Sequence, residues 1–515
     1  MKKILVLAGV IGLSSILSCD NSDLDKINPN GVTFDTYFTN DSELTAGINS
    51  AYALMQGFGL GGREWFFVHD LRGDEMASGG GQLEAPRNQL LIGAHDAGNS
   101  VARDVYTGWF RVIHRANVVI ESSNKTNASF TAATKTRIAG EARFLRALAY
   151  YELGTLWGGV PLNTEYVKSV EGSKPRATQQ EVYKQVIDDL KAAETALPDS
   201  YAASEAGRAT KGAAQTLMAR TYLQQGDYAS AKTELEKVVN SGRYRIVDNY
   251  LDLTNEEGEF NAESIFEIVF SNSNGTFNWS GPDGDGNSSQ EECMRTQEYS
   301  PIGWRNIIPS NKMIDSYERT AKGDTKNDPR FDMSFWKAGD SYNNGKDVMN
   351  DNAVQGNVSK LDGKDLKISW RKYSILYKSN TNSASSGINL RVMRYADVLL
   401  MLAECENELG NSAKAITLMN QVRARKSVDM PAYPTKNYPC DTKAKVFEAI
   451  QHERYVELAA EQVRNFDLLR WRKNKKLTTE PITYFAANKH ELLPIPQSEI
   501  DNNPKIDQKD QNPGY

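Results

Sequence analysis

Apolar residues recur along this chain at three- and four-residue spacing over long stretches, the signature of helices that bury one face. Over 43–56 they fall at Leu44, Ile48, Ala51, Tyr52 and Met55, and over 101–121 at Val105, Trp109, Val112, Ile113 and Val119. The strongest pattern spans 135–157, where Phe144, Leu145, Leu148, Tyr151, Leu153 and Leu156 leave few polar sides. A helix that is apolar nearly all round is a buried one. Gly158-Gly159 then stops it and Pro161 prevents its resumption. The same reading predicts helices over 179–197, 209–225, 228–241, 394–409, 412–425, 442–461 and 462–472.

Two of these helix pairs share a pattern. Ala219, Gly226 and Ala231 have counterparts at the same spacing in Ala403, Gly410 and Ala415. A helix, a Gly-Asp or Gly-Asn turn and a second helix with small residues resembles the tetratricopeptide repeat, whose small residues let paired helices approach closely. Between the helical blocks, 271–290 is rich in Gly, Asn, Ser and Asp with Phe277 and Trp279 embedded, and 339–365 is polar again. Loops this long are uncommon in a compact protein unless they are functional or disordered. The expected fold is mainly α, built of tetratricopeptide-like helix pairs with long irregular insertions. Within a single domain over 41–515, a helical part covers about 41–260, a loop-rich insertion about 261–390 and a second helical part about 391–515.

The first residues stand apart. Lys2 and Lys3 precede an apolar run of about 14 residues, Ile4 to Leu17, which has the length of a signal segment. It is shorter than the roughly 20 residues that span a bilayer as a helix. Ile16-Leu17-Ser18 before Cys19 fits a lipobox, so residues 1–18 read as a lipoprotein signal peptide and Cys19 as the lipidated residue. An ordinary secretory signal with a chance cysteine is the alternative. Two or more acyl chains on one cysteine hold a protein stably on a membrane. Residues 19–40 then form a polar tether, acidic at Asp20, Asp23 and Asp25.

Composition removes several function classes. The 515-residue chain has a formal charge of −6, which becomes −8 once Lys2 and Lys3 leave with the signal. Nucleic acid, which wants a clustered basic surface, is not an expected partner. Beyond Cys19 only Cys293, Cys405 and Cys440 remain, too few for a disulfide framework; Cys405 reads as a core residue, and a Cys293–Cys440 bridge stays open. No G-x-S-x-G elbow occurs, and Gly345-Lys346 and Gly363-Lys364 are each followed by Asp rather than Ser or Thr, so no phosphate loop forms. The five histidines are scattered without zinc spacing. Asp283, Asp285 and Asn287 alternate like the start of a calcium loop, but Ser288 and Met294 stand where Gly and Glu are needed, and a solvated turn is the better reading. No catalytic residue, metal site or cofactor is expected.

Several strings read together. Glu141 to Tyr151 leads into Trp157-Gly158-Gly159-Val160-Pro161-Leu162. Arg394 to Met401 with Ala403-Glu404 follows, then Glu453-Arg454 with Glu457-Leu458, Arg464 to Leu468 and Arg470-Trp471. The tail carries Leu493-Pro494-Ile495-Pro496, Glu499-Ile500, Asn503-Pro504 and a final Gln511 to Tyr515. From the tether onward, this order resembles the SusD/RagB family of surface-exposed outer-membrane lipoproteins. Gln462 departs from it, standing where the family usually has Gly in a Glu-Gly-x-Arg pattern. The resemblance implies a SusD-like α/α fold and a lipid-anchored, surface-exposed place on the outer membrane. It implies a partner, a SusC-like TonB-dependent transporter, to which the protein passes a captured oligosaccharide without cleaving it. Peptide capture in the manner of RagB is the alternative.

The family strings read as scaffold: Arg454, Glu457, Arg464 and Asp467 as charge pairs between helices, and Trp157 as a helix-end plug. A sugar offers an apolar C–H face and a ring of hydroxyls, so its site needs an aromatic platform with fixed donors and acceptors. The resemblance places the ligand face after the first helix and in the loop-rich middle. The candidate ligand-binding residues are Asp74 and Arg87 as polar contacts, with Trp279, Tyr299 and Trp304 as aromatics in or beside irregular chain. Trp304 reads as core equally well. Trp65-Phe66-Phe67 and Trp336 read as core rather than site.

Overall fold

A computed structural model describes residues 36–126, 128–272, 291–380 and 385–515. Cys19, Trp279 and the Asp283–Asn287 stretch lie outside the described residues. The longer helices are α1 (Asp41–Met55), α2 (Glu64–Asp70), α3 (Ala85–Ile92), α4 (Ser100–Ser123), α5 (Ala132–Trp157), α6 (Gln179–Ala196), α7 (Lys211–Gln225), α8 (Tyr228–Asn240), α9 (Tyr395–Glu408), α10 (Ser412–Arg423), α11 (Lys443–Glu457) and α12 (Arg464–Lys473). The fold is mainly α, as the periodicity predicts.

Helix starts follow local chemistry. Asn99, Thr131, Thr178, Thr210 and Thr442 each accept a backbone N–H of the first turn with their side chain, and Thr178 and Glu181 complete a capping box. Gly226 (φ +77°) and Gly410 (φ +91°) take the left-handed turn between the helices of the two repeat-like pairs. Ala219, Ala231, Ala403 and Ala415 are all fully buried at the helix contacts.

Helices α1, α4, α5, α6, α7 and α8 pack in succession, and α8 packs directly on α9 although residues 241–394 separate them in sequence. That insertion therefore leaves and re-enters the helical array at one place. Ser264–Ile268 pairs antiparallel with Leu390–Arg394 at its neck. A second ladder, Met76–Ser78 with Ile307–Pro309, ties the insertion to the loop after α2. One hydrophobic core runs from Phe38 to Ile495. A small satellite of Trp336, Met349, Val354 and Leu376, flanked by Ile302 and Tyr342, supports the insertion from within.

Buried charge joins the parts. Glu457 accepts from Arg394 (2.9 Å), Arg425 (2.7 Å) and Arg330 (2.9 Å); burial raises its carboxyl, but the three guanidinium groups overcome that and hold it far below the carboxylate range. Arg454 bonds both oxygens of Asp467 and reaches Asp397. The family strings are scaffold, as expected, though these pairs span elements far apart in sequence. Trp157 is fully buried and donates to Pro494 O at 3.0 Å, so the plug also clasps the C-terminal tail.

Two details differ from expectation, and a third question closes. The helix expected over 442–461 ends at Glu457, because Ala460 (φ +56°) and Gln462 (φ +59°) take left-handed conformations. The stretch 339–365 holds two tight hairpins, Ser341–Tyr342 with Asp347–Val348 and Ser359–Leu361 with Lys364–Leu366. Their turns use Asn343-Asn344-Gly345 and Asp362-Gly363, all at positive φ. Cys293, Cys405 and Cys440 are free thiols, which closes the question of a Cys293–Cys440 bridge, and Cys405 is core.

Candidate functional site

The two ladders bring the 79–84 loop against 302–306 and 354–358. Gly79 N donates to Asn306 O (2.8 Å), and Asn357 N donates to Gly79 O (2.7 Å). This approach requires glycine. A Cβ on Gly79 would lie 1.6 Å from Arg305 O, and one on Gly356 (φ +81°) would lie 2.0 Å from Gly79 O.

Trp304 stands at this junction, partly exposed. Its backbone N–H donates to Gln297 O (2.8 Å), and Gln355 Nε2 donates to both Gly303 O and Trp304 O at 2.9 Å. Gln82 Nε2 donates to Gln355 Oε1 (3.1 Å), so two exposed amides join at the backbone of Trp304. The Arg63 guanidinium lies 5.7 Å from the Trp304 ring centre and the same distance from that of Phe58, within the range of a cation–π contact. Arg305, itself left-handed at φ +49°, fixes the neighbouring loop. It donates to Gln355 O and Asn357 O at 2.8 Å, Ile368 O at 2.9 Å and Ser369 Oγ at 2.7 Å. Burial lowers its guanidinium to about 10, and the charge is held among neutral acceptors.

Beneath Trp304 lies a compact charge cluster. Arg63 Nε donates to Glu298 Oε1 (2.6 Å), and its Nη2 lies 3.4 Å from Glu84. Arg87 pairs with Glu64 and Glu84, and its guanidinium lies 4.9 Å from the Phe67 ring centre. Burial pushes the Glu64 carboxyl up to about 7 against the pull of both arginines.

The sequence-predicted residues thus fall in different places. Trp304 and Arg87 meet through Arg63 and Glu84. Arg87 is 3% exposed, with its terminal nitrogens on Glu64 and Glu84 beneath the face. Asp74 does not reach this face: it accepts from Arg464 (2.6 and 3.0 Å) and Lys312 (2.6 Å) in a buried clamp. Burial raises its carboxyl, but those cations hold it down at about 2. Tyr299 is 1% exposed, donating to Asp70 Oδ2 (2.6 Å) with its ring edge-on to Phe66, which makes it core. Trp65, Phe66, Phe67 and Trp336 are core as well. Trp279 lies outside the described residues.

The amides Gln82, Gln355 and Asn357 were not singled out from sequence. Gly79-Gly80-Gly81 and Gly356 mark where the loops meet, but pairing between positions so distant has no local signal. Among the described residues, no group of three or more His, Cys, Asp or Glu is placed to hold a metal, and no helix is long and apolar enough to cross a membrane. An exposed ring can stack on an apolar face, and uncharged amides near it exchange hydrogen bonds in both directions.

Comparison with known proteins gives a consistent picture. A profile of the SusD family matches residues 262–515, one described as starch-binding associating with outer membrane matches 84–223, and a tetratricopeptide repeat profile matches 213–241. A SusD-like protein of Formosa agariphila is 28% identical over 429 residues, 80% of this chain and 79% of the relative. One from Bacteroides ovatus is 24% identical, covering 90% and 82%. Over 147 residues, 27% of this chain and 25% of the relative, the chain is 32% identical to the starch-binding protein SusD of Bacteroides thetaiotaomicron. A crystallised SusD superfamily protein of Bacteroides vulgatus superposes with a TM-score of 0.75 at 22% identity, covering 92% and 99%. A structure titled laminarin binding SusD-like protein gives 0.73 at 26% identity, covering 93% and 100%.

Proposed function

The chain belongs to the SusD family, and from that premise we propose that it captures oligosaccharide at the cell surface and passes it to a SusC-like TonB-dependent transporter. It binds its ligand and does not cleave it. Cys19 carries the lipid that holds it on the outer membrane, where the family profile already places such proteins.

The observation that carries the binding reading is Trp304: of the aromatics singled out, it alone among the described residues is partly exposed, and the exposed Gln355 amide, itself bonded to Gln82, holds its backbone carbonyl. A sugar ring laid on the indole would present its hydroxyls to those amides. Relatives described as binding starch and laminarin favour glycan over peptide.

The test is a glycan array followed by calorimetry with wild type and Trp304→Ala. A glycan bound by the wild type and lost from Trp304→Ala, with the melting temperature held, supports the platform. Unchanged affinity removes it. Release of new reducing ends from a bound glycan would overturn the non-catalytic reading. Palmitate labelling that survives Cys19→Ala would overturn the anchor.

A further inference from the structure

We propose that the Trp304 face selects neutral over anionic oligosaccharides and that Glu84 is the residue that sets the selection. This rests on the glycan-capture reading above and adds the class of glycan.

The positive charge near Trp304 is already committed. Arg63 is paired with Glu298 and Glu84, and Arg87 with Glu64 and Glu84. Two guanidinium groups face three carboxylates, so the cluster carries no positive excess. Both arginines are buried, at 4% and 3% exposure, and a ligand sulfate or carboxylate would have to break an existing pair to reach either. Arg305 spends its donors on Gln355, Asn357, Ile368 and Ser369. Lys367 Nζ turns inward onto the carbonyls of Asp351 and Val354.

What the face does present is neutral or negative. Gln82, Gln355 and Asn357 are exposed amides, bonded to one another or to the carbonyls of Ser78, Gly303 and Trp304, and being uncharged they can exchange those bonds for bonds to hydroxyl groups without unpairing a buried charge. The Glu84 side chain is 52% exposed, the one carboxylate of the cluster that an approaching ligand meets. An anionic substituent there gains no charge-assisted bond, loses water and faces a like charge. Specificity then comes from a repulsive element as much as from attraction.

The test uses the full-length protein in detergent. Starch, laminarin and galactan are compared with the sulfated derivative of each by affinity electrophoresis and calorimetry, with a methylated derivative as the uncharged control for bulk. For any neutral polymer that binds, the sulfated form should bind at least about tenfold more weakly than the methylated one. Glu84→Gln should narrow that gap by about fivefold, the worth of one close charge in water; the gap is a ratio within each variant, so a change in affinity common to both polymers cancels. A sulfated form that binds as tightly as its methylated counterpart, or more tightly and with loss on adding salt, overturns the selection. An unchanged gap in Glu84→Gln overturns the role of Glu84. If no polymer binds in any form, the capture reading itself fails and takes this inference with it.

Discussion

Gln462 reaches Asp70 across 392 residues of sequence: its Nε2 donates to Asp70 Oδ1 at 3.1 Å and Oδ2 at 2.9 Å. The same side chain accepts from Arg295 Nη1 at 3.0 Å through its Oε1. It does so from a left-handed backbone at φ +59°, the conformation that favours the glycine usual in this family. The carboxylate and guanidinium it joins are 3.8 Å apart and buried. The departure from glycine thus costs backbone strain and supplies a bridge between two buried charges.

Two substitutions separate those effects. Gln462→Gly removes the bridge but relieves the strain, whereas Gln462→Ala removes the bridge and keeps it. Hydrogen bonds to charged groups contribute about 1.5–3 kcal/mol each, and a non-glycine residue in the left-handed region costs about 1–2 kcal/mol. Both variants should melt below wild type, with Gln462→Ala the lower. Equal melting temperatures for all three by calorimetry would show that the bridge contributes nothing.

How much of this was legible beforehand divides along locality. The boundaries of α5 and the turns at Gly226 and Gly410 depend on residues within one or two helical turns, and periodicity with stop signals finds them. The hairpins in 339–365 were also locally signalled, by Asn-Gly and Asp-Gly at their turns; tested as phosphate loops, those glycines were turn residues. Asp74 shows the limit. Its charge partner, Arg464, lies 390 residues away, and nothing around Asp74 in the sequence distinguishes a clamp from a ligand contact. Trp304 in irregular chain was readable as a candidate, but its amide neighbours were not.

The Asp74 clamp makes acid stability predictable. Its carboxyl sits at about 2 when folded, against about 3.9 when unfolded. A depressed carboxylate contributes stability above the unfolded value and loses it as pH falls through the folded one. The contribution is about 2–3 kcal/mol at neutral pH. Asp74→Asn should therefore be less stable than wild type at pH 7, with the difference shrinking between about pH 4 and pH 2. A difference constant across that window in thermal melts would exclude the clamp as its source.

Arg305 holds the loop under Trp304 without a carboxylate partner, so its role is separable from net charge. Arg305→Lys keeps the charge but cannot bond Gln355 O, Asn357 O, Ile368 O and Ser369 Oγ together. Glycan affinity should fall by roughly tenfold, about 1.4 kcal/mol, in both Arg305→Lys and Arg305→Met. Full affinity in Arg305→Lys would mean that charge alone positions the loop.

Asn512 ties the C-terminal tail to the end of α5. Its Nδ2 donates to Trp157 O (2.9 Å) and Leu493 O (2.6 Å), and its Oδ1 accepts from Arg176 Nη2 (2.8 Å). All three partners sit where Trp157 closes the helix and donates to Pro494 O. Asn512→Ala removes the partner of the Leu493 carbonyl and leaves Trp157 O and Arg176 Nη2 only their long 3.4 Å bond to each other, and an unmet buried group costs about 1–3 kcal/mol. The tail should then open before the helical array does, because Leu493 N–Leu156 O and Gln497 N–Ala97 O are the only backbone-to-backbone ties between its 493–515 stretch and the rest of the described residues. Limited proteolysis should cut Asn512→Ala within 474–515 at temperatures where the wild type resists, with the rest of the chain intact. Cleavage spread evenly over the chain would instead mark a global loss of stability and refute a local clasp.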